Sequence, residues 1–347
     1  MNRFPAKFFS DNRKSAIQNR KWVGTVALAV TLAMCGAAVN AQQTGKVARI
    51  GFLDPSNASS MAGMLEAFRQ ELSKFGWVEG KNIIIEYRFA EQKNERLPEL
   101  AADLVRLKVD LIVVTAGTPA LAAKKTTSTI PIVMTSVGDP VAAGLVVSLA
   151  RPGGNVTGLA GLAVELNTKR LEILKDAVPG LSRVGFLRPP GDNVSTDLQL
   201  KEIRAAAVAL KLKLEEIDAQ PDPKCLESAF QTAKQKQVGA IMTMATRVFF
   251  AERKRIVELA ATYRLPAIYP QKEYVDEGGL MFYGAHFDDL FRRAAVYVDK
   301  ILKGAKPADL PVQQATKFEF IINLKAAKQI GLSIPVRVLE RANQVIK

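Results

Sequence analysis

The chain has 347 residues, room for two sizeable cores, and its 48% hydrophobic and 24% charged composition is that of a globular protein, not of a disordered or fibrous one. One histidine (His286) and two cysteines (Cys35, Cys225) exclude His- and Cys-rich zinc sites, iron–sulfur clusters and a disulfide framework. The formal net charge is +14, and no stretch after residue 41 approaches the ~18–20 apolar residues of a membrane helix.

Residues 1–21 carry Arg3, Lys7, Arg13, Lys14, Arg20 and Lys21 against Asp11 alone. An apolar run over residues 22–34 and the small-residue exit Val39-Asn40-Ala41 complete the pattern of a secretory signal peptide, residues 1–41, cleaved after Ala41. The competing reading is a lipoprotein signal that anchors the chain through Cys35, against which Met34 is larger than the small residue such signals place before the cysteine. An uncleaved anchor over residues 22–39 is at the short limit of a span. Removal of residues 1–41 leaves 42 Lys and Arg against 33 Asp and Glu, about +9. An exported protein does not meet the chromosome, so no nucleic-acid partner is read from this charge. It describes a solvated basic surface or a field that favours anionic small molecules.

In chain order, residues 47–53 form a β-branched and aromatic run that ends in the turn residues Asp54-Pro55-Ser56-Asn57. Met61, Met64, Leu65, Phe68, Leu72 and Phe75 recur at helical spacing up to Gly76. Strands are predicted over residues 82–89, 111–115 and 130–135, with helices from Leu97 to Val105 and over 118–125. The pattern then repeats: Arg49-Ile50-Gly51-Phe52-Leu53 returns as Arg183-Val184-Gly185-Phe186-Leu187, and Thr129-Ile130-Pro131-Ile132-Val133 as Arg264-Leu265-Pro266-Ala267-Ile268. In this second copy strands are predicted over 184–187, 213–217, 240–244 and 267–269, with helices over 195–211, 223–237 and 247–263. Continuous apolar strands alternating with amphipathic helices imply α/β architecture: two doubly wound lobes with parallel sheets. The tail adds a strand at 278–284, a helix at 291–302 and an extended 318–323, segments able to cross back between lobes.

Catalytic signatures are missing: neither G-x-S-x-G nor G-x-G-x-x-G is present, and H-E-x-x-H is impossible with one histidine. Gly76-Trp77-Val78-Glu79-Gly80-Lys81 is a helix-ending glycine turn one residue short of a phosphate loop, and His286 is a surface or capping residue. The loops after the strands are more informative, because ligands collect there in a doubly wound lobe. In the first copy these are residues 54–60, 115–119 and 135–140, with Ser59, Thr118 and Asp139 as expected helix caps and Pro119 at the first helical position. The second copy supplies Arg188 to Asn193, Ala245-Thr246-Arg247 and Tyr269 to Tyr274. Donors, an arginine and aromatic faces without a nucleophile–base pair describe a place that holds a small molecule without converting it, so no enzyme, cofactor or metal is expected.

Several segments resemble the ABC-transporter substrate-binding proteins of the tryptophan-uptake type: Phe75 to Asn82, Gly138-Asp139-Pro140-Val141-Ala142-Ala143-Gly144-Leu145-Val146, Arg151-Pro152-Gly153-Gly154-Asn155-Val156-Thr157-Gly158, Lys300 to Pro307 and Phe318 to Lys325. The resemblance spans residues 46–332. It implies a type I periplasmic-binding-protein fold, two Rossmann-like lobes joined by a three-crossing hinge, with a ligand clamped between them. Lobe 1 would hold residues 46–160 plus about 286–312, and lobe 2 residues 161–285 plus about 313–347. It further implies a monomer in the periplasm that delivers its ligand to an ABC permease with its ATPase and meets the membrane only through that permease or a lipid on Cys35. First-lobe contacts are expected from Asn57, Ser60, Thr115, Thr118, Ser136 and Asp139. Second-lobe contacts are expected from Asn193, Thr246, Arg247, Tyr269 and Gln271. Where the family often reads Asp-Asn-Thr, this chain reads Ala245-Thr246-Arg247, so Arg247 favours a more anionic ligand than tryptophan. The alternatives are a ligand-sensing subunit for a membrane receptor and a two-lobed exported enzyme with Asp139 and Glu273 as its acid–base pair.

Overall fold

The computed structural model describes residues 47–191 and 194–347; the signal segment, Cys35 and Asn193 lie outside the described residues. Two sheets organise the chain. The first runs β1 (Ala48–Asp54), α1 (Ala58–Lys74), β2 (Ile83–Phe89), α2 (Leu97–Arg106), β3 (Leu111–Val114), α3 (Gly117–Thr126), β4 (Ile132–Val137) and β5 (Val156–Ala160). Its strands lie in the order β2-β1-β3-β4-β5, all parallel. The order reverses between β1 and β3, the switch point where a doubly wound sheet opens a crevice at its carboxyl edge.

The second sheet repeats the plan through α4 (Ala163–Ala177), β6 (Arg183–Arg188), α5 (Val194–Ala209), β7 (Lys213–Asp218), α6 (Pro223–Gln235), β8 (Ala240–Thr243), α7 (Arg247–Ala251), α8 (Arg253–Thr262), β9 (Ala267–Tyr269), α9 (Glu273–Asp276) and β10 (Met281–Ala285). Its order β7-β6-β8-β9-β10 is that of the first sheet, so the internal repeat is a repeat of topology.

After β10 the chain returns to the first sheet. There α10 (Phe287–Leu302) packs on α1 and β4, and the two-residue β11 (Gln313–Gln314) pairs with β5. It then crosses again to β12 (Phe318–Asn323), antiparallel to β10, followed by α11 (Leu324–Ile330), α12 (Val336–Leu339) and β13 (Gln344–Ile346). The connections at residues 161–162, 286 and 315–317 thus make a three-crossing hinge. Backbone bonds tie them together: Ala315 N donates to the Ala160 carbonyl (3.0 Å) and His286 N to the Lys317 carbonyl (3.1 Å). Among the described residues no helix is long and apolar enough to cross a membrane.

Ile50, Phe52 and Phe68 are fully buried between sheet one, α1 and α10, and their counterparts Val184 and Phe186 fill the second lobe. Burial of each such side chain contributes roughly 1.5–3 kcal/mol, enough for apolar runs to select these registers. Three local expectations are corrected. The helix expected over 247–263 is two helices, because Glu252 leaves helical geometry (φ −95°, ψ 13°). The fifth strand, β5, is not announced by β-branched periodicity because Gly158 sits inside it at φ +124°. A Cβ at Gly158 would lie 2.3 Å from the Met134 carbonyl oxygen, so only glycine lets β5 approach β4 there. Asp139 precedes no helix; its Oδ1 accepts from Val141 N (3.0 Å) and Ala142 N (2.9 Å) in a turn.

Candidate functional site

The carboxyl edge of the first sheet is built around one buried carboxylate. Asp54, at the end of β1 and without solvent exposure, accepts from Ser56 N (2.6 Å), Ser56 Oγ (2.5 Å) and Thr115 Oγ1 (2.5 Å). Three donors satisfy a buried carboxylate and lock the β1 and β3 loops to each other. The Thr115 carbonyl in turn accepts from Ser136 Oγ (3.0 Å) after β4. Thr115 and Ser136 are therefore linked in one chain of hydrogen bonds.

The helix starts at this edge differ. Asn57 caps α1, its Oδ1 accepting from Ser60 N (2.9 Å) and from Ser59 Oγ (2.8 Å), so the cap is Asn57 and not Ser59. At α3 the cap position falls on Ala116, which has no capping side chain, and Thr118 is the second helical residue, two positions past the cap. The first amides of α3 are left for something other than a cap. Ala116, Gly117 and Thr118 line a cavity of about 80 Å³ that reaches Thr196, Gln199 and Thr246 of the second lobe.

The second lobe contributes Arg247. Thr246 caps α7 by accepting from Phe249 N (3.3 Å), which places Arg247 at the first helical position, 5% exposed. Its side chain crosses to the first lobe: Nη2 donates to Ser136 Oγ (3.1 Å), and Nη1 meets Met64 Sδ (3.4 Å). The guanidinium carbon lies 5.0 Å from the Phe287 ring, 5.7 Å from Phe291 and 5.9 Å from Phe250. Among the described residues no carboxylate comes within salt-bridge distance. Burial holds this guanidinium below its ordinary pKa, while Asp54, Glu273 and Tyr274 push it back up. Gln92 Nε2 makes a second contact between the lobes, donating to Glu252 Oε1 (3.1 Å).

A cavity of about 70 Å³ on the other side of the guanidinium is lined by Thr115, Ser136, Thr246, Gln271 and Phe287. A third, about 250 Å³, lies at the hinge among Lys272, Glu273, Asp276, His286, Asp288 and Glu319, and Phe287 is part of its wall too. Burial holds the Glu273 carboxyl above its ordinary range, with Asp288 and Asp276 adding to the push and Arg247 opposing it. His286 stands at the cap position of α10 without a capping bond.

Of the residues expected from sequence, the crevice brings together Thr115, Thr118, Ser136, Thr246, Arg247 and Gln271. Asn57 and Ser60 belong to the α1 cap, where Ser60 Oγ donates to the Asn57 carbonyl (3.0 Å). Asp139 lies in its turn. Tyr269 offers no face to the crevice: it is buried and stacks on Tyr274 at 4.7 Å. Arg188 pairs with Asp218 at 2.8 Å. Sequence reading missed Phe287, Gln199 and Gly161 as lining residues, and named Ala116 and Ala245 only as parts of candidate loops. The apolar start of α10 at Phe287, directly after a chain crossing, was the available signal.

Two doubly wound lobes of one plan, a three-crossing hinge and a crevice between facing loop edges define a two-lobed small-molecule binding protein. The sequence model for "ABC transporter substrate binding protein" matches residues 49–346, and the chain belongs to this family. A tyrosine-binding protein of Clostridioides difficile is 27% identical over 282 residues, 80% of this chain and 78% of the relative. A crystal structure from Streptococcus pneumoniae, an ABC domain in complex with L-Trp, is 27% identical and superposes with a TM-score of 0.76, over 86% of this chain and 99% of that one. The ligand-free, open structure of a substrate binding protein with adhesive properties from Clostridium difficile is 25% identical, with a TM-score of 0.61 over 87% and 99%. The fold is the type I periplasmic-binding-protein fold, and the family is one of substrate-binding proteins, not of enzymes.

Proposed function

We propose that the protein is the exported, periplasmic solute-binding component of an ABC importer, which clamps an amino acid or another carboxylate-bearing compound between its lobes and delivers it to a permease driven by an ATPase. The observation that carries this reading is the Arg247 side chain of one lobe hydrogen-bonded to Ser136 of the other across a crevice lined by both. A group that touches both lobes only when they meet is what a hinged trap needs: its ligand raises the closed population by its difference in affinity between the two states. The arrangement matches the tryptophan-bound relative better than the ligand-free, open one. Thr115, Thr118, Ser136, Thr246, Arg247 and Gln271 are the proposed contacts. The acid–base pair that an enzyme would need is divided, since Glu273 lines the hinge cavity and Asp139 closes a turn.

A thermal-shift screen over amino acids, aromatic acids and dicarboxylates should give a hit that stabilises by RT ln(1 + [L]/Kd). Small-angle scattering with that hit should then give a smaller radius of gyration than without it. Stabilisation with no change in radius of gyration would contradict the clamp.

A further inference from the structure

We infer that Arg247 selects acids that lack an ammonium group: the site takes small organic carboxylates in preference to the zwitterionic amino acids, with the carboxylate paired to the Arg247 guanidinium. This rests on the clamp reading and names the ligand class within it.

A guanidinium has five N–H donors and is not deprotonated at neutral pH. Here it is 5% exposed, bonded to one hydroxyl and one thioether, and surrounded by Phe250, Phe287 and Phe291. Buried cations are ordinarily paired, because desolvation without a counter-ion is strongly unfavourable. Ser136 and Met64 use only two of these donors, and Arg247 helps to line two cavities. A carboxylate placed there makes a bidentate pair and supplies the missing anion.

The lining argues the other half. Among the described residues, the walls of these two cavities include one cation and no carboxylate, the rest being hydroxyls, amides and apolar groups. An α-ammonium group would be buried there without a counter-ion. Two carboxylates lie nearby, and neither lines these cavities. Asp54 is saturated by Ser56 and Thr115 behind the wall, and Glu273 lines the hinge cavity on the far side of Phe287. A ligand that is net anionic thus balances the site, and a zwitterion does not.

The test uses matched pairs that differ only in the ammonium group, titrated calorimetrically into ligand-free protein: 3-phenylpropionate with phenylalanine, 3-(4-hydroxyphenyl)propionate with tyrosine, and indole-3-propionate with tryptophan. The expected result is that the tightest-binding acid is favoured at least about tenfold over its amino acid, since its partner must bury an unpaired charge. Arg247→Gln should weaken it about 100-fold or more, with Arg247→Lys restoring part of the loss. Arg247→Met, which removes the unpaired cation, should raise the melting temperature of the ligand-free protein by on the order of 3 °C, so the variant reports even where binding is gone. An amino acid that binds tighter than its matched acid overturns the inference. So does unchanged affinity in Arg247→Gln, a lower ligand-free melting temperature in Arg247→Met, or no binding by any of the six compounds. A different ligand that compacts the protein in scattering would leave the clamp intact while these results fail, which separates the two readings.

Discussion

The two rims of the crevice are built on opposite principles. On the first lobe, the charged group at the centre, Asp54, is saturated by three short hydrogen bonds from Ser56 and Thr115. On the second, the charged group, Arg247, is buried to the same degree but meets a hydroxyl, a thioether and three phenyl rings. A saturated rim is rigid and ready before a ligand arrives. A rim whose buried cation has no carboxylate within ion-pair distance would favour the lobes meeting around an anion.

Substitutions on either side can break or sharpen this contrast. The largest expected effect lies at Gly158 on the strand that leads into the first crossing. Gly158→Ala forces a Cβ to 2.3 Å from the Met134 carbonyl oxygen at φ +124°, and equilibrium unfolding in urea should show a loss of about 4 kcal/mol or a failure to fold. Next comes the saturated rim: Asp54→Ala orphans three buried donors and removes negative charge near Arg247, for a loss of about 3 kcal/mol. Arg247→Met should act with the opposite sign in the same assay. If both variants destabilise alike, the contrast between the rims is wrong.

Alkaline pH probes the buried tyrosines of the first lobe. Burial pushes the Tyr87 hydroxyl up to about 12, and burial likewise pushes Tyr297 up to about 12. Groups with raised folded-state pKa values stabilise fully below the unfolded value near 10 and lose that contribution as pH rises toward 12. Urea midpoints should therefore fall from pH 10 to 12. A midpoint flat across that window would contradict the assignment.

The smallest effects distinguish the two helix starts. Asn57→Ala removes a working cap and should lose about 1 kcal/mol. Thr118→Ala removes no cap and should stay within about 0.5 kcal/mol, while it weakens ligand binding.

Much of the architecture was legible because it is written in apolar periodicity. The return of Arg49–Leu53 as Arg183–Leu187 marks β1 and β6, the strands that sit at equivalent places in the two sheets. β5 was less legible, since Gly158 is chosen for close approach to β4 and not for strand propensity. Of the residues that loop position suggested, Thr115, Thr118, Ser136, Thr246, Arg247 and Gln271 line the crevice, because strand carboxyl ends face it. Tyr269 instead packs inward on Tyr274, since three residues of strand do not say which face an aromatic ring takes. Nor could sequence show that Arg247 reaches Ser136, 111 residues away, because that contact joins two separately folded lobes.

The central claim is that both lobes grip one acid through Arg247. A crystal structure of the protein with its tightest-binding carboxylate tests it most directly. The account predicts the carboxylate on the Arg247 guanidinium, with atoms of both lobes within hydrogen-bonding distance of the ligand. A ligand held by one lobe alone, or seated in the hinge cavity beside Glu273, would contradict it.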